Sequence, residues 1–258
     1  MTPIFDTHAH YDDDAFDTDR EELLVSLPQQ GIARVVNVGA SLGSCRRTLD
    51  LMDKYDYIWG AIGVHPSETA ELNEENFKLL KEWCAHEKCL AVGEIGLDYY
   101  WDEPEREIQK KWFVRQLNLA REIRKPVVIH SRDAAKDTAD IMLAEHAEEI
   151  GGVVHCYSYT KETAKTFLDM GFYFGIGGVV TFKNAKKLKE AVEYIPMDRI
   201  VLETDCPYLA PEPNRGKRNS SLNLPYVVSA MAEIKGITEE EVRKAVWDNS
   251  LTLYRMDE

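Results

Sequence analysis

Histidines and carboxylates recur in this chain at the ends of short β-rich runs. Asp6, His8 and His10 stand two apart in "PIFDTHAHYDDDAFDTDR". A strand turns alternate side chains to opposite faces, so this spacing aims all three into one space. His65 follows the third run in "GVHP", and Glu94 ends the fourth in "AVGEIGLDYY". His130 ends the fifth in "PVVIHSRDA", His155 the sixth in "VVHCYS", and Asp205 the eighth in "VLETDCPYL". Five of the seven histidines thus fall at strand ends, whereas His86 and His146 lie in helical stretches among charged residues. Buried histidines and carboxylates must pair or coordinate metal. Mixed imidazole and carboxylate ligands suit Zn, Mn, Fe or Mg. A single catalytic zinc usually takes three protein ligands, and more donors than that are gathered here, so two divalent metal ions (Mg, Mn or Zn) fit better.

Elements must bring those ends together. β-rich runs cover residues 3–8, 33–38, 58–64, 90–95, 126–130, 152–155, 173–176 and 200–204, with helix-spaced stretches between most of them. The clearest helix is "PEREIQKKWFVRQLNLAREIRK", where Ile108, Trp112, Phe113, Leu117, Ala120 and Ile123 repeat at three- and four-residue steps. Asp19 with Glu22, and Thr238 with Glu241, read as capping boxes, and Pro104 suits a first helical turn. Eight strands alternating with helices predict an α/β fold with a parallel sheet. Closed on itself it is a (β/α)8 TIM barrel, which typically takes ~250 residues and gathers its strand C-terminal ends at one mouth. A doubly wound open sheet is the rival. No linker, low-complexity segment or repeat divides the chain, so residues 1–258 are expected to form one domain, with extra C-terminal helices near residues 224–235 and 239–254.

The bulk properties narrow the chemistry. Apolar residues make up 44% of the 258, enough for a sizeable core, and the formal charge is −14. Such acidity argues against a broad basic groove gripping nucleic acid through its phosphates, but not against a small site where metal ions supply positive charge. The five cysteines are odd in number and form no C-x-x-C pair, so neither a disulfide framework nor a structural zinc site is expected. No leader-like segment or membrane-length apolar run occurs, and the expectation is a cytoplasmic protein with no membrane association and no obligate protein partner.

The motifs "FDTHAHYDDDAFDTDR", "GVHP", "AVGEIGLDYY", "PVVIHSRDA", "VHCYS", "ETDCPYLAP" and "RGKRN" resemble, in order, those of TatD-type metal-dependent hydrolases of the amidohydrolase superfamily, whose members include deoxyribonucleases. The resemblance runs from Ile4 to about Tyr254. It implies that His8, His10, Glu94 and Asp205 hold one metal and that Glu94, His130 and His155 hold the second, with Glu94 bridging. It also implies that His65 lies beside the pair near substrate phosphate. Two departures fall in substrate-side loops: Ser220 and Ser221 follow Asn219 where a proline is frequent, and Gly177 stands where serine is common.

The expected reaction is phosphodiester hydrolysis at the ends of single-stranded DNA. A metal-bridging hydroxide would attack, with Glu94 and Asp205 as the catalytic carboxylates and Asp205 as proton acceptor. Asp6 and Glu203 read as support behind the ligands; each could equally be a buried carboxylate satisfied locally. Arg215 and Lys217, with Arg218, form a basic loop after strand eight, either a phosphate contact or a solvated loop. Tyr99, Tyr100 and Trp101 could stack on bases or pack the loop onto the barrel. Cys156 and Cys206 should face away from the ligands as small buried residues. Two other activities use the same constellation: an amidohydrolase or aminoacyl-ester hydrolase, and a non-catalytic metal-dependent binding protein.

Overall fold

The computed structural model describes residues 1–256. Eight strands form one sheet in sequential order: β1 Ile4–Ala9, β2 Ile32–Val38, β3 Ile58–Ile62, β4 Cys89–Asp98, β5 Val127–Arg132, β6 Gly152–Val154, β7 Tyr173–Ile176 and β8 Ile200–Leu202. All neighbouring pairs are parallel. The chain beyond β8 returns to β1, where Ala9 bridges Cys206 and the His10 amide donates to the Cys206 carbonyl. The sheet is therefore a nearly closed barrel, the TIM arrangement expected from the alternation, rather than an open doubly wound sheet.

Helices α1 Arg20–Ser26, α2 Leu42–Lys54, α3 Glu74–Trp83, α4 Arg106–Ile123, α5 Ala135–Ala144, α6 Lys161–Asp169 and α7 Lys186–Tyr194 alternate with the strands, and α8 Leu224–Lys235 and α9 Glu239–Tyr254 follow them. Strand alternation splits the core in two. One face of each strand, with Val35, Val127, Ile129, Ile200 and Leu202, packs under the helices. The other face, with Phe5, Val36, Ala61, Val128, Val153 and Val201, packs together with Leu251, Leu253 and Tyr254 of α9. The Tyr254 hydroxyl donates to the Thr7 carbonyl. Thus the last helix is part of the barrel's own core.

Local signals fared unevenly. Thr238 and Glu241 form the expected capping box. Asp19 sits at the N-cap of α1 but makes no cap bond, because its carboxylate is taken by Arg218. Pro104 lies before α4, which starts at Arg106. Strands β4 and β5 run past their expected ends, pairing Gly96 with His130, Leu97 with Ser131 and Asp98 with Arg132. No helix of the described residues is long and apolar enough to cross a membrane.

Candidate metal centre

The C-terminal ends of the strands open into a cavity of about 720 Å³ lined by His10, His65, Glu94, His130, His155 and Asp205, among others. His8 lies just beneath, fully buried. The His8 and His10 Nε2 atoms stand 3.0 Å apart. Around them are Glu94 Oε2, at 3.6 and 3.8 Å, and Asp205 Oδ1, at 3.7 and 3.3 Å. On the other side of Glu94, Oε1 lies 2.7 Å from His130 Nδ1 and 2.6 Å from His155 Nε2. One carboxylate thus faces two donor groups through its two oxygens.

The backbone sets these positions. Gly96 has φ +146, and a Cβ there would come within 1.9 Å of the His130 carbonyl oxygen, so only glycine lets β4 approach β5 so closely. Asp205 and Cys156, which follow β8 and β6, adopt left-handed φ of 55 and 44. Such conformations are uncommon outside glycine and cluster at functional sites. Two buried glutamines of α4 grip the strand ends: Gln116 bonds both backbone groups of Val64, and Gln109 both of Asp98.

Hydrogen bonds select which nitrogens face the centre. His10 Nδ1 donates to the Val38 carbonyl at 2.8 Å, leaving Nε2 free to ligate. His130 Nε2 lies 3.1 Å from Asp98 Oδ2, which directs Nδ1 toward Glu94. A carboxylate behind a ligating histidine fixes its tautomer and raises its basicity. His65 Nδ1 accepts from the Ser67 amide at 3.2 Å, so its remaining nitrogen carries a proton toward the cavity.

The electrostatics call for a cation. Burial opposes charge on His10, yet the hydrogen bond and charge of Asp205, with Glu94, carry its pKa up to about 10. His155 is likewise held at about 9, chiefly by Glu94 against its burial. Burial also opposes ionisation of Glu94 and Asp205, but the surrounding histidines hold both below the usual carboxylate range. His8 falls to about 4 and His65 to about 3, through burial and then the neighbouring His155 and His130 respectively. Protons on His10 and His155 thus supply the positive charge that the carboxylates need. Four groups of three donors have ligand atoms within 4.8 Å of one another: His8–His10–Glu94, His8–His155–Asp205, Glu94–His130–His155 and His65–Asp98–His130. His8 Nδ1, His155 Nδ1 and Glu203 Oε2 are buried without a hydrogen-bond partner. This donor chemistry fits divalent cations.

The structure brings all six expected ligands together, with His65 beside them, its ring 4.2 Å from that of His130. Asp6 departs from the alternation. A register shift between Asp6 and Ala9 interrupts β1. Among the described residues the Asp6 carboxylate bonds no side chain of the cluster; it accepts from the Thr204 amide and hydroxyl, the Ser221 hydroxyl and the His8 amide, the local satisfaction that was the alternative reading. Glu203 accepts from the Cys156 amide and stands 3.9 Å from His155 Nδ1, with burial pushing its pKa up to about 8. Asn219 fastens its loop to the Thr204 carbonyl. Arg215 lies over Phe182 and Arg218 pairs with Asp19; neither they nor Lys217 line the cavity. Cys206 is buried as expected, but Cys156 is only partly so.

Sequence reasoning missed Asp98, Arg132, Arg47 and Asp12. The last is buried inside the acidic run, accepting from Asn37 and Ser44, and lines the cavity with Arg47. The signal for Asp98 and Arg132 was present in "GLDYY" and "HSRDA", four and two residues beyond expected ligands. It becomes readable only once β4 and β5 are known to extend over the mouth.

Comparison with known proteins places this geometry. A family model described as TatD related DNase matches residues 5–255. The chain is 43% identical to the uncharacterized metal-dependent hydrolase YabD of Bacillus subtilis, covering 98% of this chain and 100% of that protein. It is 35% identical to the uncharacterized metal-dependent hydrolase YcfH of Escherichia coli, covering 98% and 96%. The crystal structure of YjjV, a TatD homologue of Escherichia coli, superposes with a TM-score of 0.92 at 28% identity, over 98% of each chain.

Proposed function

This chain belongs to the TatD-related DNase family of metal-dependent hydrolases, and we propose that it is a two-metal phosphodiesterase that trims single-stranded DNA ends. The observation that carries this reading is the two-sided environment of Glu94, with His8 and His10 near one oxygen and His130 and His155 at the other, and with Asp205 beside His8 and His10. The first set with Glu94 would hold one divalent ion, and Glu94 with His130 and His155 the second; Mg, Mn and Zn all suit the donors. Ions bound there would make water nucleophilic near neutral pH and polarise the phosphoryl oxygens.

The protein's own groups do the rest. Asp205, ionised and placed at the mouth, accepts the proton of the attacking water and returns it to the leaving oxygen. Neutral His65 offers an N–H to a substrate oxygen without adding charge. Asp98 holds His130 in the tautomer that presents Nδ1. Arg215 and Lys217, outside the cavity lining, remain available to a longer strand.

The test begins with exhaustively demetallated protein, Mg, Mn or Zn added back, and labelled DNA beside an ester and an amide panel. Activity should vanish on chelation and return with metal. Asp205→Asn should lower turnover by roughly 100- to 10,000-fold in a folded protein. Full activity without metal would end the proposal. Efficient ester or amide turnover with no DNA cleavage would transfer the assignment to a carbonyl hydrolase.

A further inference from the structure

Ten large hydrophobic side chains are exposed among the described residues, and three of them, Trp101, Tyr208 and Leu209, line this one cavity, with Tyr100 beside Trp101. Trp101 is 64% exposed. Its ring meets Tyr100 edge-on at 5.3 Å, and the Arg132 guanidinium lies 3.8 Å over the Tyr100 ring. Trp101 and Arg132 both line the cavity that holds Glu94 and Asp205.

Charge narrows what such a surface can take. Seven carboxylates line the cavity against two arginines. Arg47 is already engaged, donating to the Asp12 carbonyl at 3.0 Å and standing 3.7 Å from its carboxylate. Among the described residues Arg132 makes no ion pair, and its guanidinium stacks on the face of Tyr100. A guanidinium stacked on a ring keeps its N–H edge free for an anion, and its planar fork matches a phosphate. Of the two arginines that line the cavity, the one left unpaired among the described residues stands beside exposed aromatic faces, which suits a ligand with flat rings and few phosphates. A duplex, with its dense charge, would meet the acidic rim instead.

We propose that Trp101 and Arg132 form a nucleotide subsite next to the cleavage point, with Trp101 stacking on a nucleobase of the single strand and Arg132 binding the phosphodiester that flanks the one being cut. The subsite rests on the nuclease reading above and names where that substrate is held. It replaces the basic loop of Arg215 and Lys217 as the phosphate contact nearest the metals. Aromatic stacking tolerates any base, so the subsite selects unpaired strands without selecting sequence. Asp98 anchors it: Oδ1 accepts from the Tyr100 and Trp101 amides at 2.9 Å each, while Oδ2 faces His130.

The test uses metal-loaded full-length protein and short oligothymidylates. Trp101→Ala should lower kcat/KM by about 10- to 100-fold, the range of one base stack, and Trp101→Phe should restore most of it. The loss should disappear on an oligonucleotide with an abasic residue at the neighbouring position. Arg132→Gln should cost about tenfold or more, and that cost should vanish when a neutral methylphosphonate replaces the flanking phosphate. Folding is checked by circular dichroism and melting. DNA cleavage by both variants at the wild-type rate would overturn the subsite and leave the nuclease reading intact. A Trp101→Ala penalty undiminished on the abasic substrate would mean a displaced loop and would overturn stacking. Wild-type protein that cleaves no DNA with Mg, Mn or Zn would overturn the nuclease reading and the subsite with it.

Discussion

At Asp98 the two carboxylate oxygens face different neighbours: Oδ1 the amides of Tyr100 and Trp101, Oδ2 the Nε2 of His130. Asparagine is nearly isosteric and keeps an oxygen for the amides, but its NH₂ cannot accept from His130. The imidazole would then be driven to protonate Nδ1, the atom that faces Glu94 and His155. Asp98→Asn should therefore weaken metal binding by roughly 10- to 100-fold, the usual effect of losing a carboxylate behind a ligating histidine. Calorimetric titration with zinc reads this directly; an unchanged affinity would show that Asp98 serves the loop alone. The same titration tests the charge argument. His10, at about 10, and His155, at about 9, are both protonated at neutral pH in metal-free protein. Burial opposes charge on His130 too, but the carboxylates Asp98 and Glu94 hold its pKa above the ordinary value. A ligating imidazole must lose its proton, so metal binding at pH 7 should release two protons or more. Because those pKa values are raised, the release should fall, and the apparent affinity climb, as pH rises through 9 toward 10. Proton uptake, or affinity independent of pH, would contradict this.

Helix α4 shows how an outer element sets the inner site. Its Gln109 and Gln116 lie seven residues apart on the buried face and clamp the backbone at Asp98 and Val64, next to His65. Gln109→Leu would keep the bulk but strand a buried amide and carbonyl, each costing about 1–3 kcal/mol. The melting temperature should fall by several degrees, at about 2–4 °C per kcal/mol for a domain near this size. An unaltered melt would mean that the clamp contributes nothing net. Such a glutamine was illegible in the sequence, because a polar residue on an amphipathic face gives no sign of its partner far along the chain. What was legible follows the same physics in reverse. Short β-rich runs located all eight strands, and the stretches beyond the eighth the two last helices, since burial of apolar faces dictates them. The histidines and carboxylates at strand ends were visible because a parallel barrel gathers those ends. The failures occurred where pairing partners decide. Thr204 and Ser221 decide between the two readings of Asp6, Arg218 claims Asp19 from the cap, and β4 and β5 outrun their apolar runs because each supplies the other's hydrogen bonds.

The molecule as a whole carries −14 formal charge, and its cavity rim is acidic, yet the proposed substrate is a polyanion. Those facts are compatible only if few phosphates are bound, close to the metals and Arg132. Each single-strand phosphate contact contributes about −0.7 to the slope of log affinity against log salt, so the slope here should be shallow, near −1 to −2. A protein that tracked DNA through a long basic groove would give a far steeper one. The geometry of the mouth makes a second demand. Glu94 and His8 lie beneath the rim, both buried, and a strand end reaches such depth more readily than a continuous backbone that must enter and leave. Circular and linear single-stranded DNA of equal sequence separate the two cases. The linear form should be degraded to mononucleotides while circles persist, and binding measured across a salt series should give the shallow slope on both. Rapid cutting of circles would refute end-directed attack even with every metal ligand in place. A steep slope would mean that phosphates are bound well outside the cavity, and Arg215 and Lys217 would then return as the first residues to replace.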